Sequence, residues 1–406
     1  MADAGMVIVG GGKAGARAAI AFRENGYEGG VTLVSDEVLP PYDRPPLSKA
    51  SISGDAEPEP VFLLDEDMMK SLKVDFLGGA AATSIDRVER SLVLTGGKKL
   101  SYKRLLLAVG AAPRKLTLPG AERALLLRDF SDAIRIRGAF SAGKAIAIIG
   151  GGFIGLELAA SAVKRGCRVT VIEAQPRILM RGVPEEISKV IMAKHEAAGN
   201  IILTGAAISH IDADSVILKD GRKVAADTVI AGIGAAPRTH LAEQAGLVLD
   251  NGIVVDAGMR TSDPDIFAVG DCCSFPHPVF GNMRMRLEAW RNASDQAVIA
   301  AENMLGGART YEAVPWFWSD QFDLTLQIAG MPSLGTSVIV RSLRDGAFIL
   351  CHLDSDRRLV GASGIGQGNI IARDVRLLEM LIGKGAKPDA SLLSDGTSQL
   401  KALLKA

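Results

Sequence analysis

Residues Met6 to Gly15 read MVIVGGGKAG. The four apolar residues Met6, Val7, Ile8 and Val9 predict a buried strand. Gly10, Gly12 and Gly15 then give G-x-G-x-x-G, where the strand passes into a helix through Ala14 to Phe22. In such a turn the first glycine permits the tight bend. The second has no Cβ, so a pyrophosphate can approach the backbone, and the third lets helix and strand pack closely. The helix N-terminus adds free N–H groups and a partial positive charge. A second strand, Val31 to Val34, leads to Asp36, about twenty residues past Gly15, where a ribose hydroxyl needs an acceptor. A glycine-rich strand–helix turn can also exist without a ligand; the strand before, the helix after and the acid beyond favour a dinucleotide.

The plan recurs. Ala145 to Ile149 predicts a strand, and Gly150, Gly152 and Gly155 repeat the fingerprint in GGGFIG. A helix is expected from Phe153 to about Arg165. Val169 to Ile172 is the next strand, ending at Glu173. Each copy closes on the same pentapeptide, GAAPR, at 110–114 and 234–238. Both turn and closing sequence recur in the same order, which marks an internal duplication of a dinucleotide-binding unit.

Between and beyond the copies the chain changes character. Leu39 to Lys49, LPPYDRPPLSK, is a proline-stiffened loop that is expected to hold no helix until after Pro46. Breaker-rich sequence continues to Pro60. Val74–Phe76, Ala81–Val88 and Leu92–Leu94 read as a small antiparallel meander, with turns at Gly78-Gly79 and Gly96-Gly97. Leu105 to Val109 is a buried strand. In the second copy a helix from about Pro184 to Ala198 precedes strands at Ile201–Thr204, Ser215–Leu218 and Thr228–Ile233. TSDPDIFAVGD then ends a strand at Asp271, and a helix follows from about Asn292 to Leu305; these residues return the chain to its first domain. From Pro315 the aromatic cluster Trp316, Phe317 and Trp318 opens an α+β domain of about ninety residues. Its strands are expected at Leu324–Ile328, Ser337–Arg341 and Ala347–His352, and its helix at about Ile370–Leu381. The expected fold is α/β: two Rossmann-like dinucleotide-binding domains plus a C-terminal α+β domain. The boundaries are 1–112 for the first part of the first domain, 113–236 for the second domain, 237–314 for the rest of the first, and 315–406 for the last.

Composition narrows the function classes. The 406 residues are 48% hydrophobic and 23% charged, and 46 basic residues balance 46 acidic ones. A neutral chain does not advertise nucleic acid or an anionic membrane as partner. The first strand starts so early that no signal or transit peptide is expected. The most apolar run, Ala145 to Val163, carries three consecutive glycines and Glu157, and reads as strand–turn–helix, not as a membrane span. Cys167, Cys272, Cys273 and Cys351 show no metal-ligand or C-x-x-C spacing. Reduced thiols in a cytoplasmic protein, with no bound metal, are expected.

Two dinucleotide sites in one chain suggest hydride transfer between two dinucleotides, with the protein supplying position and electrostatics. Glu173, at the strand end of the second copy, would bond an adenosine 2′-hydroxyl and repel a 2′-phosphate, favouring NADH over NADPH. Arg177 and Arg181, downstream, soften that preference.

The joint occurrence of VIVGGGKAG, DRPPLSK, LLLAVGAAPR, IIGGGFIGLELA, VIAGIGAAPR, TSDPDIFAVGDC, RLEAW and WFWSDQ goes further. Over essentially its whole length the chain resembles the FAD-dependent pyridine nucleotide oxidoreductases, and most closely the ferredoxin reductases of the putidaredoxin reductase type. The resemblance implies a disulfide-reductase-like architecture with non-covalent FAD at the first site. Gly10, Gly12, Ala14 and Gly15 would hold its pyrophosphate and Asp36 its adenosine ribose. Arg44 and Lys49 would reach the ADP part and the flavin. Ala82 and Arg128 match further FAD contacts. Asp271 would accept from the ribityl chain, and Glu288 and Trp290 would lie at the flavin, although Trp290 stands where the close relative has a small aliphatic residue. NADH would lie over Gly152, Phe153, Ile154 and Gly155, with Glu157, Glu173, Arg181 and Gly234 as further contacts. The same resemblance makes Lys49 and Glu157 the catalytic pair, ion-paired beside the flavin N5.

Read from the residues alone, several of these positions have a second reading. Lys49 fits a solvated loop lysine. Glu157 fits an exposed helix residue, although the apolar sides of its helix favour a partner. Trp316 and Trp318, at i and i+2 on a strand, face the same way, either into the core of the last domain or toward the flavin. Arg357-Arg358 reads as a solvated turn.

Disulfide reductases of this superfamily carry a cysteine in the first FAD segment; here none precedes Cys167. An external electron acceptor is therefore implied. In the resembling family it is a two-iron two-sulfur ferredoxin, which feeds a haem-thiolate monooxygenase or a ring-hydroxylating dioxygenase. The alternatives are another acceptor, such as rubredoxin, a quinone or a radical, and a slow NADH-binding redox sensor. A monomer or weak dimer is expected.

Overall fold

The computed structural model describes residues 4–404; the outermost ends of the first and last expected segments lie outside them. The chain forms two compact units. One comprises Met1–Asp43, Pro60–Ala112 and Ala236–Ala313; the other comprises Arg44–Glu59, Pro113–Ala235 and Val314–Ala406. The proline-stiffened loop from Arg44 onward thus groups with the second glycine turn, and so does the C-terminal region.

The first unit is built on a five-stranded parallel sheet in the order Ile266–Ala268, Arg104–Leu107, Met6–Val9, Val31–Val34, Val74–Leu77. All four residues of Met6–Val9 are buried, as a central strand covered on both faces requires. Val74–Leu77 corrects the expected meander: it pairs in parallel with Val31–Val34 and extends the main sheet. The helix Glu66–Ser71, which sequence reading missed, makes this parallel pairing possible, because parallel neighbours need a crossover. Its N-terminus is capped by the Asp65 side chain, which accepts from Met68 N–H at 2.8 Å. The antiparallel sheet is instead Ala82–Asp86, Ser91–Leu94 and Lys99–Ser101. Helix Lys13–Glu24 packs on helix Trp290–Met304, which starts two residues earlier than expected.

The second unit repeats the parallel plan in the order Ile201–Leu203, Arg168–Ile172, Ala145–Ile149, Thr228–Ala231, Ala124–Leu125. Helix Phe153–Lys164 follows the glycine turn, and helix Glu185–Ala197 follows the next strand. The proline loop already forms a 3-10 turn at Pro45–Ser48, one residue before the expected limit, and then a short helix Ala50–Ser53. Proline suits the first position of a helical turn, where no N–H is needed and its φ is already set. Helix Ala50–Ser53 packs against Phe130–Ala139 and Phe153–Lys164. Arg137 ties this turn down through the carbonyls of Ile52 (3.2 Å) and Gly54 (2.6 Å).

The C-terminal region is an antiparallel five-stranded sheet, ordered Trp316–Gln321, Leu324–Gly330, Leu359–Gln367, Phe348–Leu353, Ser337–Ser342. Its middle strand, LVGASGIGQ, was not expected, because glycines weaken a strand signal. They are needed there for close approach. A Cβ at Gly361 would lie 2.7 Å from Pro332 Cα, and one at Gly364 only 3.2 Å from Val375 Cγ2 on helix Ala372–Gly383. On the strand Ser337–Ser342, Arg341 is 1% exposed. Its Nε donates to Asp374 Oδ2 at 2.7 Å and its Nη2 to the Ser398 carbonyl at 2.8 Å. Removing one partner of a buried pair is costly, so Arg341→Met should lower the unfolding free energy by about 3–5 kcal/mol. Urea denaturation checks this; a loss below about 1 kcal/mol, the range of a surface pair, would contradict it. Among the described residues no helix is long and apolar enough to cross a membrane, and no group of side chains could hold a metal ion.

Candidate active site: two glycine turns and a buried carboxylate

In the first unit Gly10 adopts φ +120°, and a Cβ there would lie 2.2 Å from the Ala108 carbonyl. At Gly15 a Cβ would meet Gly10 O at 1.9 Å, whereas at Gly12 nothing lies within 4 Å. The turn is therefore closed behind and open in front of helix Lys13–Glu24. That helix has no side-chain cap and no acid in its first turn, so its leading N–H groups are available to an anion. Ala14 stands beside Gly270: a Cβ at Gly270 would be 3.6 Å from Ala14 Cβ and 3.5 Å from Ala293 Cβ. The glycine turn, Gly270-Asp271 and helix Trp290–Met304 thus converge. The Asp271 carbonyl accepts from Arg286 Nη1 at 3.1 Å, and the same guanidinium holds Glu288 at 2.7 Å. Two buried amide atoms here, Asn292 Oδ1 and Gln296 Nε2, have no protein partner. An open, uncapped helix start and orphaned buried polar atoms fit a dinucleotide. Asp36 is half-exposed and pairs with Arg238 at 2.9 Å. Ala82, half-buried, opens the strand Ala82–Asp86.

Trp290 is fixed by two residues that sequence reading missed. Its Nε1–H donates to Asp43 Oδ1 at 2.5 Å, and Lys13 Nζ lies 3.6 Å from its ring centroid. Burial pulls the Lys13 ammonium below its ordinary pKa, against the neighbouring Asp43 charge. Both residues lie inside motifs quoted above, GGGKAG and DRPPLSK.

In the second unit Gly150 adopts φ +105°, and a Cβ at Gly155 would lie 2.1 Å from Gly150 O. At Gly152 the nearest atom would be 3.9 Å away, and helix Phe153–Lys164 also lacks a side-chain cap. Glu173 is oriented by two backbone N–H groups, Gly151 to Oε2 and Gln175 to Oε1, each at 2.7 Å. It therefore stands at the turn as a fixed acceptor. Arg181 borders Gly234, with 3.5 Å between Arg181 Nη1 and a Cβ at that glycine. Ile154 is exposed, and the Phe153 ring packs on Phe317 at 4.4 Å. The first fingerprint and the second are thus built alike.

Glu157 lies on the same helix and is 8% exposed. Ser48 Oγ donates to its Oε2 at 2.5 Å and Ser319 Oγ to its Oε1 at 2.6 Å. Lys49 Nζ lies 3.6 Å from Oε1. The expected pair exists, with a correction. The nearest acid to Lys49 is Asp320, at 2.9 Å, while each Glu157 oxygen also accepts from a hydroxyl. Burial pushes the Glu157 pKa up; Lys49 and the two hydroxyls pull it back, and the Asp320 charge adds to the rise. Ser48, Ser319 and Asp320 were not singled out from sequence, although DRPPLSK and WFWSDQ contain them. The solvated and exposed readings of Lys49 and Glu157 do not hold. Trp316 and Trp318 stack at 5.3 Å and are half-buried, with Lys49 Nζ 5.6 Å from the Trp318 centroid. Arg44 Nη1 donates to the Arg128 carbonyl at 2.6 Å. Arg44, Lys49 and Arg128 belong to the second unit, the remaining residues expected at FAD to the first.

A glycine-turn nucleotide fold present twice, with a buried carboxylate on the second helix, defines a dinucleotide-dependent oxidoreductase architecture. Comparison with known proteins agrees. The family "Pyridine nucleotide-disulphide oxidoreductase" matches residues 5–297, and "Reductase C-terminal" matches residues 316–404. The chain is 38% identical to putidaredoxin reductase of Pseudomonas putida over 371 residues, 88% of each chain. It is 36% identical to the ferredoxin–NAD(+) reductase component of the anthranilate 1,2-dioxygenase system of Burkholderia cepacia over 405 residues, 98% of each. The solved covalent putidaredoxin reductase–putidaredoxin complex matches with a TM-score of 0.93 at 35% identity, covering 100% of this chain and 99% of that one. The chain belongs to the pyridine nucleotide-disulphide oxidoreductase family, in the branch that carries the reductase C-terminal domain.

Proposed function

We propose that this chain is an FAD-dependent NADH–ferredoxin oxidoreductase of the cytoplasm, acting as a monomer or weak dimer. Bound FAD supplies hydride acceptance from NADH and single-electron delivery to a two-iron two-sulfur ferredoxin, which serves a haem-thiolate monooxygenase or a ring-hydroxylating dioxygenase. The residues that would hold FAD are Gly10, Gly12, Ala14, Gly15, Asp36, Arg44, Lys49, Ala82, Arg128, Asp271, Glu288 and Trp290. Gly152, Phe153, Ile154, Gly155, Glu173, Arg181 and Gly234 would hold NADH. The Glu157 carboxylate, fixed by Ser48 and Ser319, would orient the nicotinamide, and Lys49 would carry positive charge to the flavin. The 2.7 Å bonds that orient Glu173 leave it ready to accept from a ribose.

One observation carries the direction of electron flow. All four cysteines are unpaired and buried. Burial pushes the Cys272 thiol up to about 11 and raises Cys273 well above its ordinary value. Such thiols are poor thiolates and poor nucleophiles, and no cysteine stands in the first FAD segment before Cys167, which supports electrons leaving the protein for an external acceptor. An acceptor panel with purified protein tests this: rapid NADH-dependent reduction of ferredoxin is expected. Preference for rubredoxin or a quinone, or slow reduction without turnover, would move the reading to another acceptor or to a sensor.

The first expectation is cofactor content. Purified protein should be yellow, and denaturation should release FAD and no FMN. Covalent flavin, or none after reconstitution, would contradict the assignment of the first turn.

A further inference from the structure

The Glu157 site continues into the interior through one chain of hydrogen bonds. Ser319 Oγ, which contacts Glu157 Oε1 at 2.6 Å, also accepts from Gln321 Nε2 at 3.0 Å. Gln321 Oε1 lies 3.0 Å from His195 Nε2, and Asn200 Nδ2 lies 3.1 Å from His195 Nδ1. His195 and Gln321 are both wholly buried. Helix Glu185–Ala197 and strand Trp316–Gln321 supply these residues from distant parts of the sequence.

The chemistry of each group fixes the direction of the chain. An ionised Glu157 only accepts, so Ser319 must donate to it. Ser319 must then accept from the Gln321 amide nitrogen, which turns the Gln321 oxygen toward the ring. That oxygen needs a donor, so His195 carries its proton on Nε2 and accepts from Asn200 at Nδ1. Every donor points toward the carboxylate, and bonds aligned in this way polarise one another. Burial lowers the His195 pKa, which favours the neutral ring; the partners on its two nitrogens set the tautomer. The groups facing His195 are the amides of Gln321 and Asn200 and the ring of Phe322. The charged groups facing Glu157 are Lys49 and Asp320.

We propose that His195, through Gln321 and Ser319, is a positioning residue that holds Glu157 in its ionised, acceptor state from the interior of the second unit. The functional consequence rests on the role given above to Glu157; the hydrogen-bond relay itself does not.

The test separates the two. The oxidised holoenzyme is titrated while infrared difference spectra, taken against Glu157→Gln, follow the carboxyl of Glu157. His195→Leu should move its midpoint up by about one pH unit, a tenfold change in protonation. His195→Gln, whose amide N–H falls where Nε2–H was, should restore the midpoint. His195→Asn, which reproduces only the Nδ1 position, should not. Gln321→Met should act like His195→Leu, and serves where that variant does not fold. In stopped-flow reduction by NADH, the acid loss of rate should shift by the same amount. An unmoved midpoint in folded His195→Leu or Gln321→Met, or equal rescue by Gln and Asn, overturns the relay. A moved midpoint with an unmoved rate profile upholds the relay and overturns the role of Glu157.

Discussion

Glu157→Ala is expected to slow reduction of the bound flavin by NADH by roughly 10²–10³-fold, the range seen when one preorganised electrostatic group is removed from a reacting centre. The group lost is a single buried acceptor aimed by Ser48 and Ser319 at 2.5 and 2.6 Å. FAD content and folding should survive. Lys49 retains its 2.9 Å bond to Asp320, so the substitution does not leave the lysine unpaired. A group that acts on geometry at the reacting centre is expected to lower kcat, and not only apparent affinity. Stopped-flow reduction under anaerobic conditions reads this directly, and reoxidation by ferredoxin should change far less. The pH profile adds a sign. Burial raises the Glu157 pKa, so the carboxylate form is lost on acidification earlier than an ordinary glutamate would be. Reduction should therefore weaken above the usual carboxylate range, and Glu157→Ala should lack that limb. An unchanged rate in the alanine variant would return Glu157 to an ordinary buried helix residue.

The second large effect is coenzyme choice. A ribose contact set against like-charge repulsion of a 2′-phosphate should favour NADH in kcat/KM by about 2–4 kcal/mol, very roughly 30- to 1000-fold. The expectation takes Glu173 as an oriented acceptor. Gly151 and Gln175 N–H hold it in place at the glycine turn. Glu173→Ala should narrow the ratio mostly by improving NADPH, with Arg181, which borders Gly234, offering a cation to the phosphate. Equal use of both coenzymes by the unaltered protein would count against Glu173 as the ribose acceptor.

The glycine turns were legible in the sequence because their constraint is local and absolute. At Gly15 and Gly155 a Cβ would fall about 2 Å from a carbonyl oxygen (1.9 and 2.1 Å), so the residue type itself reports the geometry. Strand Val74–Leu77 was misjudged because its partner, Val31–Val34, is distant in the chain, and short apolar runs do not reveal whether they pair in parallel. Strand Leu359–Gln367 was missed because its glycines serve close approach of neighbouring segments, Pro332 at Gly361 and helix Ala372–Gly383 at Gly364, which no period-two pattern encodes. The Glu157 site was half legible. Lys49 and Glu157 followed from a resemblance. Ser48, Ser319, Gln321 and His195 are polar residues whose neighbours arise only on folding, so no spacing announces them. Trp290 shows the same limit: the structure reveals Asp43 and Lys13 among the groups against its ring.

The central claim is that electrons enter from NADH at the second turn and leave from FAD to a ferredoxin, with no thiol between. Anaerobic mixing of the FAD-loaded protein with limiting NADH and excess oxidised two-iron two-sulfur ferredoxin tests it most directly. A hydride carries two electrons and each such ferredoxin accepts one, so two ferredoxins should be reduced per NADH, with the flavin turning over repeatedly and thiol-blocking reagents without effect. Flavin reduction with no ferredoxin reduced, or turnover abolished by a thiol-blocking reagent, would contradict the account.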